Sequence, residues 1–468
     1  MTAAVDSRRT LLIAGLLGSY AALIALVSDV RVTLALTAPL IALPLLWWSI
    51  QTPSRWLGLF FLSALLLPPL PIAIGDSGPH IALAFVGIGL LAGLVRMTDW
   101  RIPPRFLPMS VLMFAAVLLA SVALAALYSG ATVALASLAR VFLFAISVYV
   151  FLYTAYGPAA RRGGDTLRLA RWMFWLAAAS ALFACLDFYF QFPAPAGYGP
   201  QFVWLDTGVF RRAQGVFYEA STLGNFCAFF LVMIAVAISS PKSLSPISRL
   251  SMFVGGAILS AALVFSYSRG SLINVAVSIL ALLYLKRERL NFRRLAMATI
   301  LILATAVAVV YVAFPSFAQN YWTRLWLSFE NFFSATNGIL SGRLDSWRLL
   351  VGFLAEQPWH ALFGIGYKTL PYSDFIGRGV VADNMYLSLL VETGVVGLAV
   401  FLAFNAAILG AAWRGARSLD SRTAFCGAWI FCFWVGEMVQ MLSGDLFTYW
   451  RVLPVYFWVL GLAVRTES

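Results

Sequence analysis

Five arginines, Arg211, Arg212, Arg269, Arg343 and Arg348, stand in a chain that is otherwise 62% hydrophobic and only 11% charged. A guanidinium presents its donors in a rigid fork that matches phosphate oxygens. Gathered on one face, these residues would suit the holding of a phosphate or diphosphate. Two carboxylates lie beside them in sequence, Glu219 in RRAQGVFYEAS (211–221) and Asp383 in DNMYL (383–387). Either could take a proton from an attacking hydroxyl if it stood within hydrogen-bond reach of it.

Each residue also has a plainer reading. Arg269, in FSYSRGS (265–271), interrupts what would otherwise be one long apolar run, and Gly270 allows a sharp reversal there. An arginine at such a break can grip an anion or simply snorkel to the interface. Arg343 and Arg348 are five residues apart and subtend about 140° on a helix, so they do not both point at one ligand. Asp345 has the spacing to pair with Arg348. Arg343, beside a glycine near the positive end of the helix, is therefore the better ligand. Glu219 is either a functional carboxylate or a structural partner of Arg211, Arg212 or Arg269. Asp383 is either a helix N-cap or the proton acceptor. Glu392, about 13 Å further along the helix, is read as a helix-packing residue within reach of Glu437, Gln440 and Asp445. Arg140 falls deep in an apolar block and needs a carboxylate that the sequence does not assign.

The elements that must position these residues are membrane spans. Mean hydropathy is +0.89, and the apolar residues run in blocks of about 17–25, the length that crosses a hydrocarbon core. Helices are the expected form, because an open sheet leaves its edges unsatisfied in lipid. The expected spans are 10–28, 32–50, 56–74, 80–96, 108–128, 131–155, 172–191, 215–239, 251–267, 271–285, 295–314, 384–411, 423–443 and 450–464. The fold class is thus all-α, a polytopic membrane protein with about twelve to fourteen transmembrane helices. The chain divides into an N-terminal helix group (1–155), central helices with the membrane break (172–314), a large outer loop (315–383) and C-terminal helices (384–468), all within one integral membrane domain. Alternate connections carry most of the 32 lysines and arginines, which places both termini on the cytoplasmic side. All five arginines then fall on the opposite face. The large loop is rich in tryptophan and phenylalanine and is expected to pack against the membrane surface. Within it, Ser341 is a candidate N-cap for a helix over 342–355, closed by Pro358.

Several classes are excluded or disfavoured. The net charge of +13 sits in short loops, as positive-inside topology requires, and does not indicate nucleic acid. The four cysteines lie in apolar blocks without a CxxC pair, which argues against disulfides or a zinc site. Two histidines give no metal cluster, and no phosphate-loop sequence indicates ATP hydrolysis. FGIGY (363–367) marks a tight turn, since no strand and helix flank it as a dinucleotide site requires. The apolar start after Arg8 and Arg9 is read as an uncleaved first helix.

Five segments together resemble the O-antigen ligase/polymerase (Wzy-like) superfamily of bacterial envelope glycosyltransferases: RRAQGVFYEASTLGNF (211–226), SYSRGSLINVAV (266–277), SGRLDSWR (341–348), LFGIGYKTL (362–370) and DNMYLSLLVETGVVG (383–397). The resemblance implies an inner-membrane enzyme whose site faces the periplasm. It would transfer a glycan from an undecaprenyl-diphosphate-linked donor to an acceptor glycan, without nucleotide sugar, cofactor or essential metal. By position, Arg269 and Arg343 become diphosphate ligands, with Arg211 or Arg212 a further one and Arg348 the remaining candidate. A chain-length regulator is a typical partner of such polymerases. Ligases of the family usually carry histidine–asparagine where this chain has Asp383-Asn384. Asp383 takes the role of base, or Glu219 does, or the acceptor is less demanding. The departure tilts the reading toward an inverting polymerase of exopolysaccharide, capsule or O-antigen repeats, with an O-antigen ligase acting on lipid A-core as the alternative. A flippase for a lipid-linked sugar is the alternative of another class.

Overall fold

The computed structural model describes residues 15–465 except 17, 28, 53, 71–78, 162–165, 195–197, 206–207, 241–246, 288–291, 314 and 331–342. Most of the expected first helix's N-terminal part, with Arg8 and Arg9, and the candidate cap Ser341 with Gly342 lie outside the described residues.

The protein is an all-α polytopic membrane protein. In chain order the helices are α1 (Val30–Gln51), α2 (Arg55–Leu66), α3 (Ala82–Val95), α4 (Phe106–Ala155), α5 (Thr166–Phe190), α6 (Ala220–Ser239), α7 (Arg249–Phe265), α8 (Arg269–Leu285), α9 (Phe292–Ala313), α10 (Pro315–Glu330), α11 (Arg343–Glu356), α12 (Pro358–Phe363), α13 (Met385–Ala416), α14 (Ser421–Gln440) and α15 (Leu453–Val464), with a one-turn helix at Pro158–Arg161. A two-stranded antiparallel hairpin, β1 (Phe202–Leu205) and β2 (Gly208–Arg211), pairs Phe202 with Arg211. Among the described residues, four helices are long and apolar enough to cross a membrane: Phe106–Ala155, Arg168–Phe190, Ala220–Ser239 and Met385–Ala416. Shorter apolar helices such as α2, α3, α7, α8 and α15 pack among them.

Three expected spans change, each for a backbone reason. The block 56–74 is helical only over Arg55–Leu66, because Leu67 turns extended (φ −95°, ψ 143°). The blocks 108–128 and 131–155 form one run, α4, broken only at Gly130 (φ 84°, ψ 168°). The expected span 215–239 starts instead at Ala220. Gly215 (φ 55°) and Tyr218 (φ 55°) turn the chain before it, and Gln201 Oε1 accepts from the Ala220 N–H at 2.9 Å, so the helix begins where a side chain caps it.

Aromatic rings join the helices. Phe114 of α4 stacks on Phe404 of α13 with centroids 5.3 Å apart, and Phe229 of α6 meets Trp429 of α14 and Tyr456 of α15 at 4.4 Å each. A buried polar knot crosses the same bundle. Glu437 of α14 accepts from Asn225 at 2.5 Å and Asn274 at 2.7 Å, and Gln440 accepts from the same two amides at 3.1 and 3.0 Å. Tyr456 donates to Asn225 Oδ1 at 2.5 Å. Polar groups in an apolar bundle are tolerated when they satisfy one another.

The second half of the large loop packs against a broken helix and repairs it. Gly394 (φ 71°) interrupts α13, which takes the carbonyls of Val391 and Glu392 out of the helical ladder. They accept instead from the N–H groups of Ile365 at 3.1 Å and Gly366 at 2.8 Å. The Glu392 side chain adds a bond from the Leu370 N–H at 3.3 Å. Glu392 therefore holds the loop, while Glu437 and Gln440, expected within its reach, bind Asn225 and Asn274. Trp322, Trp326 and Trp359 are exposed, and Trp347 donates to the Ala382 carbonyl at 2.7 Å.

Gly364 (φ 80°) sits so close to the Glu392 and Thr393 backbone that a methyl group has no room. Gly364→Ala is expected to cost at least about 1–3 kcal/mol from backbone strain alone and to lower the unfolding temperature of the detergent-purified protein. Gly352→Ala, in open space on α11, is the control and should leave that temperature level or slightly raised; equal behaviour of the two variants would contradict the docking described.

Candidate functional site

The site begins with the hairpin. Its register delivers Arg211 and Arg212 side by side but to different partners. Arg211 pairs with Asp187 of α5 at 3.3 Å, both side chains largely buried. Arg212 is pinned elsewhere: its N–H donates to the Gln201 carbonyl at 2.8 Å, and its Nε donates to the Ser266 carbonyl at 2.8 Å. The neighbouring Ala213 N–H reaches the Phe265 carbonyl at 2.9 Å. The strand is thus sewn onto the break between α7 and α8, which brings Arg212 beside Arg269.

The break is built from serines. Ser268 caps α8 by accepting from the Ser271 N–H at 3.4 Å and exchanges a hydroxyl bond with Ser271 at 2.8 Å. Gly224 of α6 faces Ser266, Ser268 and Ser271 so closely that only glycine fits there. Arg269 is the first residue of α8, and Arg343 is the first described residue of α11. A cation at a helix N-terminus opposes the helix dipole, whereas an anion there is favoured by the dipole and the guanidinium together.

Arg343 Nε donates to Asp383 at 3.1 Å across the two ends of the loop's described part. Asp383 is not the cap of α13. That role belongs to Asn384, whose side chain accepts from the Leu387 N–H at 3.1 Å. Asp383 takes a left-handed backbone (φ 46°) and stays half-exposed on Arg343. Arg348 is exposed and pairs with Asp345 at 3.8 Å, the local pairing its spacing predicts.

Electrostatics tie these parts together. Burial lowers the Arg212 pKa. Tyr449 and Glu219 oppose that shift, and the like charges of Arg269 and Arg343 add to it. Arg212, Arg269 and Arg343 therefore share one electrostatic neighbourhood, with Glu219 in it. Glu219 is the extended residue just before α6 and accepts from Thr222 Oγ1 at 2.6 Å. Burial raises its pKa above the usual carboxylate value; Asp445 adds to the rise, while the Thr222 hydroxyl, Lys368 and Arg140 oppose it. Glu219 and Tyr449 also line a cavity of about 300 Å³ together with His80, Arg140, Tyr198, Tyr218, Trp450 and Arg451.

The structure thus brings together Arg212, Arg269, Arg343, Asp383 and Glu219, and leaves Arg211 and Arg348 engaged with other carboxylates. Sequence reasoning missed Lys368, which pairs with Asp445, as well as Tyr449 and Arg451. The available signal for Lys368 was a lone cation after two glycines in FGIGYK; its partner lies on another helix connection and had no signature. Among the described residues, four of the five non-glycine residues with positive φ, Tyr218, Tyr267, Lys368 and Asp383, fall within this site or next to it, where backbone strain tends to collect at functional positions.

Residues 254–402 match the family described as O-antigen ligase, which shows the likeness to the O-antigen ligase/polymerase superfamily over that segment. The matched residues contain Arg269, Arg343, Arg348 and Asp383, and they stop short of Arg211, Arg212 and Glu219. No curated protein matches the chain.

The division between Arg211 and Arg212 is testable. Arg211→Ala strands the largely buried Asp187 and should cost about 1–3 kcal/mol, less than the 3–5 of a fully buried pair. The double variant Arg211→Ala/Asp187→Asn should recover most of the lost unfolding temperature. No recovery would mean that the pair is not what Arg211 contributes.

Proposed function

We propose that this protein is a membrane glycosyltransferase that polymerises undecaprenyl-diphosphate-linked oligosaccharide repeats at the periplasmic face of the bacterial inner membrane. The observation that carries this reading is that Arg269, Arg343 and Glu219 all act electrostatically on the buried Arg212, while Glu219 also lines a cavity. Three guanidinium groups that repel one another are stabilised by a multiply charged anion, and a diphosphate has the charge and the oxygens for all three.

In the proposed reaction the acceptor hydroxyl attacks the anomeric carbon of the donor sugar from the face opposite the diphosphate. The carbon–oxygen bond to the diphosphate breaks as the new glycosidic bond forms, with inversion. The hydroxyl proton passes to Glu219, and the bond's electron pair leaves with the lipid diphosphate, whose growing charge the arginines stabilise. Glu219 suits the base role because it is a carboxylate of raised pKa beside a cavity. Asp383, ion-paired to Arg343, orients that guanidinium.

The polymerase reading is favoured over the ligase by Asp383-Asn384 standing where ligases of the family usually carry histidine–asparagine. Deleting the gene should cause single lipid-linked repeats to accumulate; loss of long chains from lipopolysaccharide alone would favour the ligase instead. Product formed from lipid-linked donor by the purified protein in detergent would separate chemistry from transport, which needs a sealed bilayer.

Arg269→Ala or Arg343→Ala should lower turnover by about 10²–10³-fold, the usual worth of one preorganised donor, with membrane levels unchanged. Normal polymer from both variants would remove the basis of the site. Glu219→Gln should abolish transfer without lowering the unfolding temperature, and Asp383→Asn should reduce it less. The reverse order would make Asp383 the base.

A base acts when deprotonated. Because the Glu219 pKa is raised, the acid limb of the pH–rate profile should lie above the ordinary glutamate value of about 4.3. A limb at or below that value would exclude Glu219 as the base.

A further inference from the structure

The cavity beside Glu219 is not used by the diphosphate reading. Its volume of about 300 Å³ is at the low end of small-ligand pockets, about 300–1,000 Å³, and suits one sugar ring better than an oligosaccharide. Its walls are aromatic and polar in the mixture that sugars require. Tyr198 and Tyr218 stand with ring centroids 5.1 Å apart, and Trp450 adds a further face. The C–H faces of a pyranose pack on such rings, while their polar tips remain available for hydrogen bonds.

Two guanidinium groups, Arg140 and Arg451, line the walls together with the carboxylate of Glu219. His80 adds no cation, because its Nδ1 accepts from the Ala82 N–H at 3.1 Å, as only the neutral ring can. Arg451 is buried, and its nitrogens donate to the carbonyls of Ala64, Leu67 and Val216. No carboxylate among the described residues pairs with it. Carbonyl dipoles hold the guanidinium in place, but they leave its formal charge in a medium of low dielectric, where it acts strongly on whatever enters the cavity.

We propose that this cavity is the acceptor subsite of the transferase described above, a proposal that rests on that reading, and that it takes a sugar bearing a carboxylate, such as a hexuronate. The ring lies against Tyr218, the carboxylate faces Arg140 and Arg451, and the attacking hydroxyl faces Glu219. The two sites meet at Glu219 and Tyr449. Tyr449 lines the cavity and also acts electrostatically on Arg212.

The test is a binding experiment without donor lipid. Methyl β-glucuronide, methyl β-glucoside and inorganic phosphate are titrated into the full-length detergent-solubilised protein and followed by saturation-transfer NMR. The glucuronide should bind about tenfold more tightly than the glucoside, the worth of one charge-assisted contact. Arg451 is a poor residue to replace, because its loss also strands carbonyls. Arg140→Gln should shrink the preference to about twofold or less. Tyr218→Asn removes the ring, keeps a residue type at ease with positive φ, and should weaken both sugars by about fivefold.

Equal binding of the two sugars would overturn the acidic class. Glucuronide binding untouched by either variant would overturn the location. Phosphate competing as well as the glucuronide would reduce the cavity to a plain anion site and overturn the sugar proposal. Because no glycosyl transfer is involved, a selective sugar site in a protein whose Arg269→Ala variant retains turnover would uphold the subsite and sink the diphosphate reading alone.

Discussion

A helix that breaks inside a membrane protein must find new partners for its backbone. In this protein the break at Gly394 exposes the carbonyls of Val391 and Glu392, and the chain at Ile365 and Gly366 supplies the donors. Much of the outer architecture follows from that repair. It draws the large loop inward, places Lys368 against Asp445, and fixes where the loop's return to Asp383 begins. Two glycines make it possible: Gly364 and Gly394 each sit against the other segment's backbone, where a side chain would not fit. Non-helical backbone at membrane depth is tolerated where protein buries it. This loop meets that condition and carries Lys368, which pairs with Asp445 and acts on Glu219.

The charged and polar groups of the bundle fall into two kinds, and the contrast bears on function. Around Glu437 the amides of Asn225, Asn274 and Gln440 and the Tyr456 hydroxyl answer one another. Such a knot fixes the mutual register of α6, α8, α14 and α15, and its loss would strand several buried groups at about 1–3 kcal/mol each. The arginine site differs. Arg212 is destabilised as a cation by burial and by Arg269 and Arg343, and the helix N-terminus at Arg269 adds positive potential of its own. Carboxylates rather than amides stand beside these cations: Asp383 pairs with Arg343, and Glu219 acts on Arg212.

The all-helical membrane class, the loop helix near 343–356 and the local pairing of Arg348 with Asp345 were legible in the sequence, because each rests on short-range periodicity. The site was legible only in part. Arg269 announced itself by breaking an apolar run, and Arg343 by its place at a helix start. The choice between Arg211 and Arg212 was not readable, since it depends on the register of a hairpin of two four-residue strands and on which of two neighbours meets Asp187. The cap at Asn384 displaced Asp383 for a similarly local reason: one residue of phase decides which side chain reaches the Leu387 N–H. Lys368, Tyr449 and Arg451 were invisible because their partners are distant in sequence and none belongs to a periodic pattern.

Placing Glu219 between the arginines and the cavity resolves a tension between two demands on a base. It must be neutralised too little to lose its basicity, yet it stands among cations that would lower its pKa. Burial answers the first demand by disfavouring its charged form, and the carboxylate of Asp445 adds to the effect; Lys368 and Arg140 moderate both. Lys368 is itself paired with Asp445, so a loop cation that would otherwise act fully on Glu219 is partly spent. Asp383 lacks this balance. It is half-exposed and its carboxylate is already engaged by Arg343 at 3.1 Å. The proposed assignment therefore gives proton transfer to the carboxylate just before α6, outside the segment that matches the known family, and gives the carboxylate at the loop's end the holding of the Arg343 guanidinium.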